Sequence, residues 1–129
     1  MTIDHRITAI VPCTDLEVSQ AFYERLGLRM ASDHGAYRIL ADGKGWHLHL
    51  TATVPGWAVP DHNPFGLYLY TRDVDALADV LRGAIIEASG GAEHKPWGMY
   101  EFAVSDPDGT LVRVGWPSAD VADEDRADQ

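Results

Sequence analysis

Cysteine is almost missing from this 129-residue chain. Cys13 stands alone, so no internal disulfide can form, which suits a reducing compartment. Long apolar runs are missing too: no stretch of about 18 hydrophobic residues occurs, and no membrane-spanning helix is expected. Met1 to Arg6 has neither the apolar core nor the small-residue cleavage site of a secretory leader, so the expected location is cytoplasmic. Positive charge is scarce, with 10 Lys and Arg against 20 Asp and Glu and a formal charge of -10. A chain this acidic repels a phosphate backbone, and neither nucleic acid nor membrane is an expected partner. Catalytic signatures are also lacking. No serine sits in a nucleophile elbow, and Cys13 has no His or Asp partner near it in sequence. What is present is 46% hydrophobic and 9% aromatic content, enough for one packed domain.

The apolar, β-branched run Ile7 to Val11 is followed by Thr14-Asp15-Leu16-Glu17, which has the spacing of a capping box with Thr14 at the cap. A strand is predicted to enter a helix over about residues 15 to 26, where Val18, Phe22 and Leu26 recur at helical spacing and Gly27 supplies the stop. Short strands are predicted at Leu28 to Ala31, Tyr37 to Ala41 and Trp46 to Thr53, parted by Gly35 and Asp42-Gly43. Residues 54 to 64 contain Pro55, Gly56, Pro60 and Pro64 without an apolar period and read as a connector. The order then repeats. Phe65 to Thr71 is a predicted strand, and Asp73 a predicted cap for a helix with Val74, Leu77, Leu81 and Ile85 on one face. Gly90-Gly91 ends that region, and Tyr100 to Val104 and Thr110 to Trp116 form a hairpin around Asp106-Pro107-Asp108-Gly109. Setting Asp15 on Asp73, an offset of 58 residues, aligns strand with strand and helix with helix. The prediction is an α+β fold of two tandem βαβββ modules, about 5–53 and 65–117, within a single domain spanning 1–117. The end, 118–129, holds Asp120, Asp123, Glu124, Asp125 and Asp128 against Arg126 and reads as an acidic disordered tail.

A helix of pattern D-L-x-x-x-x-x-F-Y-x-x-L-G, here Asp15 to Gly27, and the D-P-D-G turn at Asp106 to Gly109 resemble the vicinal oxygen chelate superfamily of glyoxalases, bleomycin resistance proteins and dioxygenases. With the doubled strand order, the resemblance covers about residues 6 to 117. Val11-Pro12 before the first helix, Phe22-Tyr23-Glu24-Arg25-Leu26-Gly27, Trp97-Gly98 and the run Asp106 to Arg113 look closest to the bleomycin-resistance branch. The resemblance implies a cup-shaped mixed sheet. In the superfamily's enzymes, four side chains from the first and last strands of each half chelate a divalent metal; the equivalent positions are Thr8, His49, Leu67 and Arg113. His49 is the one good ligand of the four, because leucine has no donor, threonine is a poor one and Arg113 is cationic. No metal and no other cofactor is therefore expected. The branch implies a metal-free protein that sequesters an aromatic or cationic natural product or antibiotic, as a homodimer with pockets at the subunit interface. A metal-dependent glyoxalase-type lyase or isomerase, or a dioxygenase, is the alternative.

Strand parity puts Trp97, Met99, Glu101 and Ala103 on one face, with Arg113 pointing the same way from the last strand. Arg113 is predicted to pair with Glu101 where the enzymes hold their metal. Tyr37 falls where the resemblance puts an aromatic wall of the bleomycin site. Trp46, Trp57 and Trp97 offer flat faces for stacking on heteroaromatic ligands, although Trp46 and Trp116 are equally readable as core or rim. His47 and His49 share a face and join the candidate ligand-binding set of Tyr37, Trp46, His47, His49, Trp57, Trp97, Met99, Glu101 and Arg113. Tyr68 and Tyr70 are expected to pack against helices. His5, His34, His62 and His94 have no ligand spacing and read as surface groups.

Overall fold

The computed structural model describes residues 4–54, 56–57 and 59–121. The chain divides into two compact units, Met1–Val59 and Pro60–Gln129. In unit 1 the order is β1 (Ile10–Cys13), α1 (Leu16–Glu24), β2 (Arg29–Asp33), β3 (Tyr37–Ala41) and β4 (His47–Ala52). These strands form one sheet in the order β1-β4-β3-β2, with β1 parallel to β4 and the other pairings antiparallel.

The first strand lies later than the β-branched run implied: Ile7 is 99% exposed, and pairing runs from Ile10 against His49 to Cys13 against Ala52. Pro12 is tolerated inside it because β1 is an edge strand, where a missing N–H breaks no ladder. The helix cap also differs. Asp15, not Thr14, caps α1, its Oδ1 accepting from the amides of Glu17 (3.0 Å) and Val18 (3.2 Å). Glu17 is thereby released from the capping box and instead pairs with Arg38 of β3 at 2.5 Å. The buried stripe of α1 is Ser19 and Tyr23, continued by Leu26, whereas Val18 is half exposed. They close over Val11, Cys13, Leu40, Leu48 and Leu50, all buried. Gly27, at φ 102°, takes the left-handed conformation that ends the helix.

Unit 2 contains a 3-10 turn at Pro60–His62, then β5 (Gly66–Tyr70), α2 (Val74–Val80), β6 (Glu93–His94), β7 (Met99–Ser105) and β8 (Leu111–Pro117). Its sheet order is β5-β8-β7-β6, with β5 parallel to β8, so the βαβββ arrangement of unit 1 recurs. Asp73 occupies the N-cap of α2 but makes no side-chain cap bond there. Thr71 Oγ1 instead accepts from the Asp73 amide at 3.1 Å. The two-residue β6 has too short an apolar pattern to be read from sequence, and it pairs through Glu93 against Glu101 and His94 against Tyr100. Val74, Ala78 and Leu81 from the helical side cover Leu69, Phe102, Val104, Val112 and Val114, all buried. Ile85 lies beyond the helix. Residues 118–121, the first part of the expected disordered tail, instead form a helical turn with Val121 buried; the rest of that tail, 122–129, lies outside the described residues. Among the described residues no helix is long and apolar enough to cross a membrane.

The β7–β8 turn is held from inside. Asp106 is buried, and its Oδ1 accepts from the amides of Asp108 and Thr110, both at 2.9 Å. Asn63 Nδ2 donates to the Asp108 carbonyl (3.0 Å) and Thr110 Oγ1 (2.9 Å), tying the turn to the segment before β5. Gly109, at φ 84°, lies against the Pro60 backbone so closely that a β-carbon would overlap it. Gly109→Ala is therefore expected to lower stability by at least the roughly 1–3 kcal/mol of a left-handed non-glycine residue, read as a lower urea midpoint.

Candidate functional site

In each unit one sheet face carries the helix and the other is free of it. The two faces alternate along each strand, so the polar residues of the second face are fixed by the apolar ones of the first. In unit 2, Phe102 and Val104 point to α2, which turns Met99, Glu101 and Ala103 the other way. Val112 and Val114 do the same for Arg113 and Gly115 on β8.

Glu101 is the centre of this face and is 0% exposed. A carboxylate taken wholly out of water must be given donors, and three converge on it. Arg113 Nη1 donates to Oε2 at 2.6 Å, Trp97 Nε1 to Oε1 at 2.8 Å, and the Tyr68 hydroxyl to Oε1 at 3.2 Å. The Arg113–Glu101 pair expected from strand parity is thus present. Trp97 is displaced from its expected strand position: it lies in the turn before β7, where Gly98 takes φ 85° and its amide donates to the Lys95 carbonyl. Its indole is 59% exposed, and the Arg113 guanidinium lies 5.7 Å from its ring centroid.

Tyr68 corrects two expectations at once. The parallel register puts Tyr68, not Leu67, opposite Arg113, so Leu67 and Leu69 turn to the helix side and Tyr68 to the polar face. Tyr68 and Tyr70 do not pack on the helix; their rings lie 4.7 Å apart, and Tyr70 is 57% exposed. Burial, first, and the adjacent Glu101 charge push the Tyr68 phenol well above the ordinary tyrosine range. It stays a donor.

Two features around β7 and β8 carried little or no signal in the sequence. Gly115 lies opposite Glu101, and a β-carbon there would collide with the Tyr68 hydroxyl and the Glu101 side chain. A lone glycine inside the run Leu111 to Trp116 is the mark of such a close approach. Glu87 is the second. Its Oε1 accepts from the Ala103 amide at 2.8 Å and its Oε2 pairs with Lys95 Nζ at 3.0 Å, with the side chain 6% exposed. Lys95, whose pKa the Glu87 hydrogen bond raises, also lies 6.0 Å from the Trp97 ring centroid.

In unit 1 the corresponding face bears Tyr37 and Ile39 from β3, His47 and His49 from β4, and Ile10 opposite His49. The Tyr37 hydroxyl and His49 Nδ1 are 2.6 Å apart, their rings edge to face with centroids at 5.3 Å. Trp46 is half-buried just before β4 with its amide on Asp42 Oδ1, and Trp57 is 80% exposed in the connector. Trp116 points to the helix side of unit 2, beneath the Arg72 guanidinium at 5.0 Å. His5, His34, His62 and His94 are exposed, and Cys13 is fully buried.

The model of the Glyoxalase/Bleomycin resistance protein/Dioxygenase superfamily matches residues 2–114, and the chain belongs to that family. Among solved structures, a bleomycin-binding protein crystallised with bleomycin is 29% identical, with TM-score 0.74, covering 88% of this chain and 98% of that one. A bleomycin resistance determinant encoded on the transposon Tn5 is 30% identical over the same shares, with TM-score 0.73. TioX from Micromonospora sp. ML1, at 20% identity and TM-score 0.70 over 88% of this chain and 99% of that one, shares the fold. No curated protein matches significantly.

The family's enzymes imply a metal, and the residues here do not fit one. By strand register the residue opposite His49 is Ile10 and not Thr8, which lies before β1, and the residue opposite Arg113 is Tyr68 and not Leu67. Isoleucine has no donor, the Tyr68 hydroxyl is committed to Glu101 as a donor, and Arg113 repels a cation. Among the described residues no three His, Cys, Asp or Glu groups converge on one point.

Two outcomes follow from the packing around Glu101. Gly115→Ala overpacks the face and is expected to cost about 1–3 kcal/mol in urea unfolding. Tyr68→Phe removes one of the colliding groups, so the double variant loses less than the sum of the single losses. The second outcome concerns alkaline pH. A phenol with a raised folded pKa contributes stability that is full below the unfolded value of about 10 and is lost above it. Unfolding free energy is therefore expected to fall from about pH 10 upward, with a shallower slope in Tyr68→Phe.

Proposed function

We propose that this chain is a metal-independent binding protein that holds an aromatic or cationic natural product or antibiotic and lowers its free concentration by sequestration. The observation that carries the reading is the Trp97–Glu101–Arg113 cluster, in which an ion pair and an indole gather around Arg113, the one member at a strand position where the family's enzymes chelate their metal. Likeness to a bleomycin-binding protein and a bleomycin resistance determinant at 29% and 30% identity supports it. No bond is broken in such a function. Protein in excess of ligand, with a low dissociation constant, protects by mass action.

The binding set comprises Tyr37, His47 and His49 with Trp46 and Trp57 in unit 1, and Trp97, Met99, Glu101 and Arg113 in unit 2. Trp97 supplies a stacking face fixed by its bond to Glu101, so little rotamer freedom is lost when a ring settles on it. The working form is a cytoplasmic homodimer with its ligand pockets at the subunit interface.

Tryptophan fluorescence titrated with bleomycin, an enediyne and an anthracycline in the presence of EDTA tests the proposal. Saturable quenching by at least one is expected, with Trp97→Phe weakening it about five- to tenfold through the lost stacking of roughly 1 kcal/mol or more. Stoichiometric Zn, Ni, Mn or Fe in protein purified without chelator, lost in His49→Ala, overturns it in favour of a glyoxalase-type lyase or a dioxygenase.

A further inference from the structure

We infer that the group recognised on the unit 2 face is an anionic oxygen group, a carboxylate or sulfonate carried by a planar ring system, and that Arg113 engages it through the guanidinium edge that Glu101 leaves free. This rests on the reading of that face as a ligand site.

Glu101 cannot itself receive a ligand. Its side chain is 0% exposed, with Oε1 taking two donors and Oε2 a third. A cationic ligand finds no open carboxylate at the centre of the face. Arg113 is the reverse case. Its side chain is 36% exposed, and among the described residues its guanidinium makes one hydrogen bond, through Nη1, leaving Nε and Nη2 as unused donors. An Nε–Nη2 edge is the planar fork that matches two oxygens of a carboxylate or sulfonate.

The buried pair makes sense as an anchor for that fork. Fixing an arginine side chain in water sacrifices rotamer entropy each time a ligand binds, and the Glu101 bond removes most of that loss in advance. The same carboxylate fixes the Trp97 indole, 5.7 Å from the guanidinium, so one group holds both a stacking surface and a donor pair beside it. A ring lying on Trp97 with an acidic substituent at its edge meets both. Lys95, 6.0 Å from the same ring, adds a second cation but is taken up by Glu87 and Glu93 at 3.0 and 3.6 Å. The acidic charge of the whole chain does not decide the matter, because charges beyond a Debye length of about 8 Å at physiological salt are screened while contact at Arg113 is not.

The test is calorimetric titration of the full chain at pH 7.5 and 0.15 M NaCl with three probes of one shape: 2-naphthoate, 2-naphthylmethanol and 2-naphthylmethylammonium. Naphthoate is expected to bind at least tenfold more tightly than the ammonium probe, with the alcohol between them. Arg113→Gln is expected to abolish that order, with its fold checked by circular dichroism, and Arg113→Lys to keep part of it. Equal or tighter binding of the ammonium probe by the wild-type chain overturns the inference and leaves the aromatic-binding reading standing, and so does a preference that survives in folded Arg113→Gln. Absence of binding by all three overturns the inference, while the quenching titration with bleomycin, an enediyne and an anthracycline decides the aromatic-binding reading separately. If the Gln variant does not fold, Arg113→Lys takes its place, and an undiminished preference there overturns the inference.

Discussion

A carboxylate with no access to water organises the polar face of the second unit. Removing Glu101 from solvent costs several kcal/mol unless donors replace the lost hydration, and the three that do come from a turn, from β5 and from β8. Much of the local structure reads as a consequence. Gly115 must lack a side chain so that Tyr68 can reach the carboxylate, and the register of β5 on β8 must set Tyr68 opposite Arg113. The turn of Lys95 to Gly98 must swing the Trp97 indole back to Oε1, four residues along the chain. Ion pairs in such settings are weak evidence for stability but strong determinants of geometry. Here the geometry is an indole and a guanidinium fixed side by side.

The first unit solves the same topological problem with different chemistry. Its polar face has no ion pair at the matching position; Ile10 stands opposite His49, and the histidine turns to Tyr37 instead. Two modules with the same strand order therefore carry unlike faces, one bearing Tyr37, His47 and His49, the other built around the Glu101–Arg113 pair. Fold likeness between the halves says nothing about their chemistry, just as fold likeness across the superfamily does not fix whether a member binds, isomerises or oxidises. The side chains at a few strand positions differ even between the two halves, with Arg113 on β8 of the second unit and Ile10 beside His49 in the first.

Several residues of the candidate site were legible because a strand has period two. Once Phe102 and Val104 are assigned to the core, Glu101 must face away from it, and the same alternation on β8 brings Arg113 to the same side. Where the reading failed, the cause was a register or a competition that period alone does not contain. Leu67 and Tyr68 exchanged faces because nothing in their sequence specifies which residue of β8 lies opposite. Asp15, not Thr14, caps α1, and Glu17, the other half of the expected capping box, pairs with Arg38, a partner distant in sequence. Glu87 escaped notice because its partners, the Ala103 amide and Lys95, are sequence-distant.

The sequence by itself determined the two βαβββ modules, the helix stop at Gly27, the turn at Asp106 to Gly109, and the candidacy of Glu101, Arg113, Trp97, Tyr37 and His49. Those features depend on local periodicity, on backbone conformations that only certain residues adopt, and on charge, all of which are written in short windows. The tertiary structure alone decided that Glu101 is wholly buried, that Tyr68 completes its shell, and that Gly115 makes room for both. These depend on how strands far apart in sequence are aligned, and an alignment of strands is a property of packing, not of any segment.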